Sequence, residues 1–316
     1  MTFLSVICFV VVFLRLSQAT NVSKNYNAKP EFDNKKSNEE LLGEYSVHSL
    51  CECSAMCQNE CDFYGYNSKL KKCRVHKKIF TSSSGMSDEA GWRYYSRFIP
   101  TDCKEFHDNG HTNSGVYVIY PYWTSSRPVR VYCDMETLDG GWTAIQKRVS
   151  GSLTFDRNWT EYKNGFGSPE QDYWVGNDVI HQLTKVKDCF LYVSITVQNG
   201  TRLYELYDKV SVSNEAGKYR ILLEKPATGT LGDSMANTES HIFYATAMYF
   251  STKDRDSDYS GSHNLANYYG GAWWFNAGYH AFLNGPWPQA EWTNPWYPII
   301  TSGSSVRETM MLIKRH

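Results

Sequence analysis

Residues 99–316 read as one β-rich α+β domain, with a small disulfide-stapled α+β module over 41–98 in front of it. Three observations predict this. Short apolar-aromatic runs, such as 116–120, 129–132 and 190–197, recur between Gly-rich turns after residue 99, with few helical periods among them. Five of the nine cysteines crowd between positions 51 and 73, whereas those at 103, 133 and 189 are spread thinly. Between the N-terminal segment and the cysteine cluster, residues 20–40 are polar and rich in Asn and Lys, and read as a solvated linker.

Taken in order, residues 1–19 have the pattern of a secretory signal peptide. An apolar run from Phe3 to Leu14 ends near Ser17-Gln18-Ala19, with small residues at the cleavage positions. The run is too short to span a bilayer, and no later segment is apolar enough, so a secreted, extracellular protein with no membrane insertion is expected. Loss of Cys8 with the signal leaves eight cysteines, an even number that implies disulfides in an oxidising compartment. Glycosylation sequons at Asn21, Asn158 and Asn199 agree with that compartment.

In the module, the segment from Ser49 to Cys57 reads as a short helix. Ser49 is its N-cap and Glu52 the partner of a capping box, while Cys53 and Cys57 share a face at i and i+4. Residues 63–67 and 73–76 read as strands and 91–95 as the closing strand. A zinc site is the competing reading of the cysteines, but irregular spacing and an oxidising setting count against it. In the larger domain a short helix is predicted over 178–185 and a last strand over 309–314.

Charge and motifs remove whole classes of function. Lys and Arg (32) nearly cancel Asp and Glu (33), with no long block of one sign, so nothing marks a nucleic-acid or anionic-membrane surface. The sequence has no His-Glu-x-x-His, no Gly-x-Ser-x-Gly and no phosphate loop with its Lys; the stretch from Gly229 to Ser234 lacks that Lys. An enzyme is not expected. Asp254, Asp256 and Asp258, at alternate positions before Ser260-Gly261-Ser262, make a hard-cation loop when the backbone wraps the ion. It is no EF-hand, since Tyr259 and Leu265 stand where Gly and Glu are required. A solvated acidic turn is the plainer alternative. Trp273-Trp274 downstream suggests an aromatic wall beside this loop, with core packing as the plainer alternative.

Two resemblances add to this. Residues 41–98, through Ser49-Leu50, Cys53, Cys57, Cys61, Gly65-Tyr66-Asn67 and Cys73, resemble the PAN/apple family, which implies Cys53–Cys73 and Cys57–Cys61 bridges and a module that binds proteins or glycans. The larger domain carries Tyr132-Cys133-Asp134, Gly140-Gly141-Trp142-Thr143, Gly165-Phe166-Gly167, Tyr173-Trp174-Val175-Gly176, Phe250-Ser251-Thr252-Lys253-Asp254 and Trp273-Trp274-Phe275-Asn276. These resemble the fibrinogen C-terminal domain shared by ficolins, tachylectins, angiopoietins and tenascins. That resemblance implies a structural Cys103–Cys133 bridge, and calcium held by Asp256 and Asp258 with backbone carbonyls of Ser260 and Ser262. It further implies a modified acetyl-binding pocket between Tyr269 and Tyr279, with His280 beside it and Trp287 as a substitute wall. The family's second disulfide is missing, with Leu265 and Gly278 at the matching positions, and the loop from Gly285 to Trp292 is short.

The function expected from this is a secreted, calcium-dependent, lectin-like protein that recognises N-acetylated glycans in innate defence. The alternative is an extracellular protein-binding ligand or adhesion and matrix factor of the angiopoietin or tenascin type. Cys51 and Cys189 are left unassigned; they are expected either to pair with each other or to link protomers into a disulfide-bonded homo-oligomer.

Overall fold

A capped helix and short alternating strands around crowded cysteines give a small sheet, and the computed structural model of the protein builds one. It describes residues 26–57, 61–77, 85–122, 127–185, 188–237, 242–287, 293–302 and 305–316; the signal-like segment 1–19 and the Asn21 sequon lie outside them. The chain divides between Phe98 and Ile99 into two units.

The first unit contains β1 (Tyr26–Ala28), β2 (Lys35–Lys36), β3 (Leu41–Ser46), α1 (Leu50–Met56), β4 (Phe63–Asn67), β5 (Lys72–His76), β6 (Ser87–Asp88) and β7 (Trp92–Arg97). Five of these strands form an antiparallel sheet in the order β1-β7-β4-β5-β3. Ser49 caps α1, its Oγ accepting from the Glu52 amide at 3.1 Å, while Glu52 reaches back to the His48 amide at 2.7 Å. Disulfides join Cys53 of α1 to Cys73 of β5, and Cys57 to Cys61 after the helix. They sit in a buried cluster with Val47, Tyr64, Val75 and Tyr95.

The predicted linker over 20–40 is, from Tyr26 onward, part of this unit. β1 pairs with β7 in the register Tyr26↔Arg97, and Phe32 is buried edge-on against Phe63 at 5.7 Å. Buried Arg74 donates to the Ser37 carbonyl at 2.6 Å and to Asn38 Oδ1 at 2.8 Å. Backbone pairing, one phenylalanine and a buried cation that needs polar partners hold the segment, and none of these raises its hydropathy.

The second unit contains α2 (Cys103–Asp108), β8 (Gly115–Ile119), β9 (Val129–Asp134), β10 (Trp142–Arg148), α3 (Trp159–Asn164), β11 (Phe166–Gly167), β12 (Tyr173–Trp174), α4 (Asn177–Thr184), β13 (Cys189–Val197), β14 (Arg202–Val212), β15 (Ile221–Gly229), α5 (Leu265–Tyr269) and β16 (Val306–Arg315). Nine strands make one antiparallel sheet, running β11-β12-β10-β16-β13-β14-β15, with β9 on β10 and β8 on β9. The predicted helix over 178–185 is α4, and the predicted last strand lies inside β16. β10 is buried along its whole length, Gln146, Lys147 and Arg148 included. A disulfide joins Cys103 at the start of α2 to Cys133 of β9.

Cys51 and Cys189 do not pair. Cys51 is disulfide-bonded, whereas Cys189 takes no part in a disulfide; its thiol is fully buried at the start of β13 and donates to the Leu183 carbonyl at 3.4 Å. Burial keeps Cys189 from a neighbouring protomer as well, so the homo-oligomer expected through it has no accessible thiol.

Between β15 and β16 the backbone makes a long excursion that carries α5 and every residue of the predicted sites. It is fastened to the sheet by aromatic packing: Trp274 lies 5.1 Å from Phe250 and 6.1 Å from Trp174, and its indole N–H donates to the Tyr219 carbonyl at 2.8 Å.

Candidate functional site

The acidic loop is shaped by short-range hydrogen bonds that Asp and Ser make with nearby backbone amides. Asp254 Oδ1 accepts from the Trp159 amide at 2.9 Å and from Thr252 Oγ1 at 2.7 Å, so this first carboxylate fastens the loop to α3. Asp256 Oδ1 accepts from the Asp258 amide at 3.2 Å. Asp258 uses both oxygens, Oδ1 on the Ser260 amide at 2.9 Å and Oδ2 on the Leu265 amide at 2.8 Å. Asn264 closes the loop by donating to the Thr252 carbonyl at 2.9 Å while its Oδ1 caps α5.

Burial raises the Asp258 carboxyl above its ordinary range despite its amide partners, and the neighbouring Asp256 charge raises it further. Two carboxylates at alternate positions of one loop, among oxygen donors only, fit a hard cation. Among the described residues no three His, Cys, Asp or Glu side chains converge, so carbonyls or water must complete any such site. Ser260 and Ser262 follow in the loop, their hydroxyls 3.5 Å apart.

The aromatic residues are arranged differently from the expectation. Trp273 and Trp274 are buried, so they are core and not a wall. Tyr269 and Tyr279 do meet, but their rings touch edge to face at a centroid distance of 4.9 Å, which leaves no slot between them. Phe282 backs Tyr279 at 5.1 Å. Burial and the Tyr269 ring beside it push the Tyr279 hydroxyl up to about 12, so it stays a neutral donor. Trp287 turns to Arg148, whose guanidinium lies 5.0 Å from the indole centroid, and packs onto Gly151, where a Cβ would come within 1.8 Å of the ring.

His280 stacks between Phe243 and Tyr297, 4.8 Å from each ring, and burial lowers its pKa. Its amide donates to the Phe243 carbonyl at 3.0 Å and its carbonyl accepts from the Tyr297 amide at 2.8 Å. Phe243 also explains the missing disulfide. A Cβ on Gly278 would lie 2.5 Å from the Phe243 ring, so the aromatic occupies the space of a cysteine there, and Leu265 is buried at the other position.

Tyr297 of this stack is 44% exposed, and its chain neighbourhood adds Ile242, next to Phe243, at 49% and Ile299, two residues beyond Tyr297, at 54%; these three form an apolar rim. Sequence reasoning missed this rim. Its residues come from two short apolar runs, Ile242-Phe243 and 297–300, outside regular elements, and only the packing of Phe243 and Tyr297 on His280 brings the two runs together.

Residues 99–316 match the family described as fibrinogen beta and gamma chains, C-terminal globular domain. The chain is similar to fibroleukin of Bos taurus, 42% identical over 187 residues, which is 59% of this chain and 42% of that one. It is likewise similar to angiopoietin-2 of Bos taurus, 39% identical over 224 residues, or 69% of this chain and 43% of that one. The protein therefore spans less than half the length of these relatives. Among solved structures it is similar to the fibrinogen-like globe domain of human ANGPTL6, with a TM-score of 0.61 and 34% identity over 69% of this chain and 96% of that one.

Proposed function

The protein belongs to the family of the C-terminal globular domain of fibrinogen beta and gamma chains, and from that premise we propose that it is an extracellular protein-binding ligand or adhesion factor, and not an enzyme. The observation that carries this reading is the exposed apolar rim of Ile242, Tyr297 and Ile299, of which Tyr297 packs on His280. Apolar and aromatic side chains grouped on a surface mark a protein contact. Similarity to fibroleukin and angiopoietin-2 supports the same reading. The lectin-like reading, with N-acetylated glycans as ligand, is weaker because Tyr269 and Tyr279 fill the space between themselves.

Three disulfides among the described residues support an oxidising, extracellular compartment. The sequons suit it: Asn199 is exposed on the β13–β14 turn, and Asn158 caps α3 through Oδ1, leaving Nδ2 for a glycan. The first unit, a helix stapled to a small sheet, is read as the PAN/apple-like module, a second binding surface.

Labelled protein is expected to bind intact cells saturably, to lose that binding when the cells are pretreated with protease, and to bind about tenfold more weakly or worse as Ile299→Asp. Binding that free N-acetylglucosamine displaces, and that Ile299→Asp leaves unchanged, would restore the lectin reading.

Calcium is read as held by Asp256 and Asp258 with carbonyls of Ser260 and Ser262, where it would neutralise two carboxylates that otherwise repel. Titration calorimetry is expected to give an affinity of roughly 0.1–1 mM, the range of extracellular modules, weakened about tenfold by Asp256→Asn. That substitution removes charge while its amide oxygen can still accept from Asp258. Equal affinity in the two proteins would remove the loop as the site.

A further inference from the structure

A second surface of the larger domain is built by strained backbone. In the turn between β14 and β15, Lys218 and Tyr219 have φ of 52° and 48°, and in the turn facing it Ala247 has φ of 64°. Left-handed conformations in residues other than Gly are costly and persist only where the surroundings impose them. Here the two turns are laced together. The Phe250 amide donates to the Lys218 carbonyl at 3.0 Å, the Ala247 amide to the Ile221 carbonyl at 2.7 Å, and Arg220 Nε to the Ala247 carbonyl at 2.7 Å. Tyr219 anchors them from below, its hydroxyl donating to Asp178 at 2.6 Å.

This lacing displays two exposed cations on one ring. Lys218 Nζ lies 5.1 Å and the Arg220 guanidinium 5.9 Å from the Tyr249 centroid. Neither forms a salt bridge among the described residues. The acid in the same turn, Glu215, is already taken up by Lys163, by the Trp159 indole at 2.8 Å and by Arg255 at 3.7 Å. Among the described residues Arg220 is held through Nε, which leaves its two terminal nitrogens in the fork that suits a bidentate oxyanion. Lys218 adds a third donor beside it.

We infer that Lys218, Arg220 and Tyr249 form a site for the sulfate esters of an extracellular polysaccharide. Three terminal oxygens on a sulfate ester match an arginine fork plus an ammonium. The cations stand exposed on a turn, so a single small anion would stay hydrated there. A polymer crossing the surface gains from repeated weak contacts. The site uses neither the Ile242–Tyr297–Ile299 rim nor the acidic loop, so it stands or falls apart from the protein-ligand reading.

The probe is a heparin oligosaccharide, titrated against the whole chain, both units included. Lys218→Asn, a residue that tolerates positive φ, is expected to weaken binding about tenfold, and Arg220→Lys, which keeps the charge but loses the fork, severalfold. Desulfated, N-acetylated heparin should not bind. Bound heparin should also protect Lys218 from acetylation in the unaltered protein, a test that needs no variant to fold. Unchanged binding in both variants, equal binding of the desulfated polymer, equal binding of polyphosphate, or an unprotected Lys218 would each overturn the assignment.

Discussion

Arg148→Ala is expected to lower the melting temperature of the fibrinogen-related domain by about 10 °C, on the scale of roughly 2–4 °C per kcal/mol for a domain of this size. Arg148 is 1% exposed on β10, and burial pulls its guanidinium down to about 10. A charge so placed is costly to bury, which argues that its removal should help. The geometry argues the other way. Nη1 donates to the Leu283 carbonyl at 3.2 Å and to the Gly285 carbonyl at 2.5 Å, and the guanidinium lies 4.3 Å from the Phe155 ring and 5.0 Å from that of Trp287. Backbone carbonyls cannot be replaced along with the arginine: that of Gly285 loses the Arg148 donor at about 1–3 kcal/mol, that of Leu283 keeps only Gln146 Nε2 at 3.3 Å, and the vacated volume adds a cavity between two aromatic rings. Loss outweighs relief, for a total of about 3–5 kcal/mol. Thermal melting followed by circular dichroism tests this, with Trp287 fluorescence as the local readout. A melting point within about 2 °C of the parent would mean the loop holds itself without Arg148.

The same residue shows where sequence and structure part. Gln146, Lys147 and Arg148 are polar by type, so β10, the strand that links β9, β12 and β16, has no apolar pattern in its second half that would mark it as buried. Their burial follows from partners distant in sequence: Gln146 Nε2 donates to Thr309 at 3.0 Å and Lys147 Nζ to the Pro169 carbonyl at 3.1 Å. No local pattern records such pairings. The β-rich architecture, the capped helix at Ser49 and α4 were legible because propensity, capping chemistry and hydrophobic period act within a few residues. Residues 26–40 were misread for the opposite reason, since backbone pairing and the polar demands of Arg74 hold them. At the candidate site the acidic loop was legible from the alternation of Asp256 and Asp258. The contact between Tyr269 and Tyr279 was not, because side-chain spacing across a loop excursion is set by Phe275 and Phe282 behind it.

Removing the Cys103–Cys133 bridge as the double substitution Cys103→Ala, Cys133→Ala is expected to cost about 3–4 kcal/mol, from the entropy of opening a closed loop in the unfolded state. The sequence separation is 30, so the loop is longer than the one of 20 closed by Cys53–Cys73. The native contacts around the bridge survive the change. The Cys103 amide donates to Thr143 Oγ1 at 3.0 Å, Asp102 caps α2, and Arg315 of β16 reaches Asp102 and Glu105 at 2.9 Å each. The folded domain should therefore keep its circular dichroism spectrum at low temperature and melt about 10 °C earlier. Substituting both residues avoids the stray thiol that a single change would leave. Reductant should lower the melting point of the parent more than that of the variant, because the parent alone still has this bridge to lose. Equal melting points for parent and variant without reductant would place the stability in the Arg315–Asp102–Glu105 cluster instead, and Arg315→Ala would then become the more damaging change.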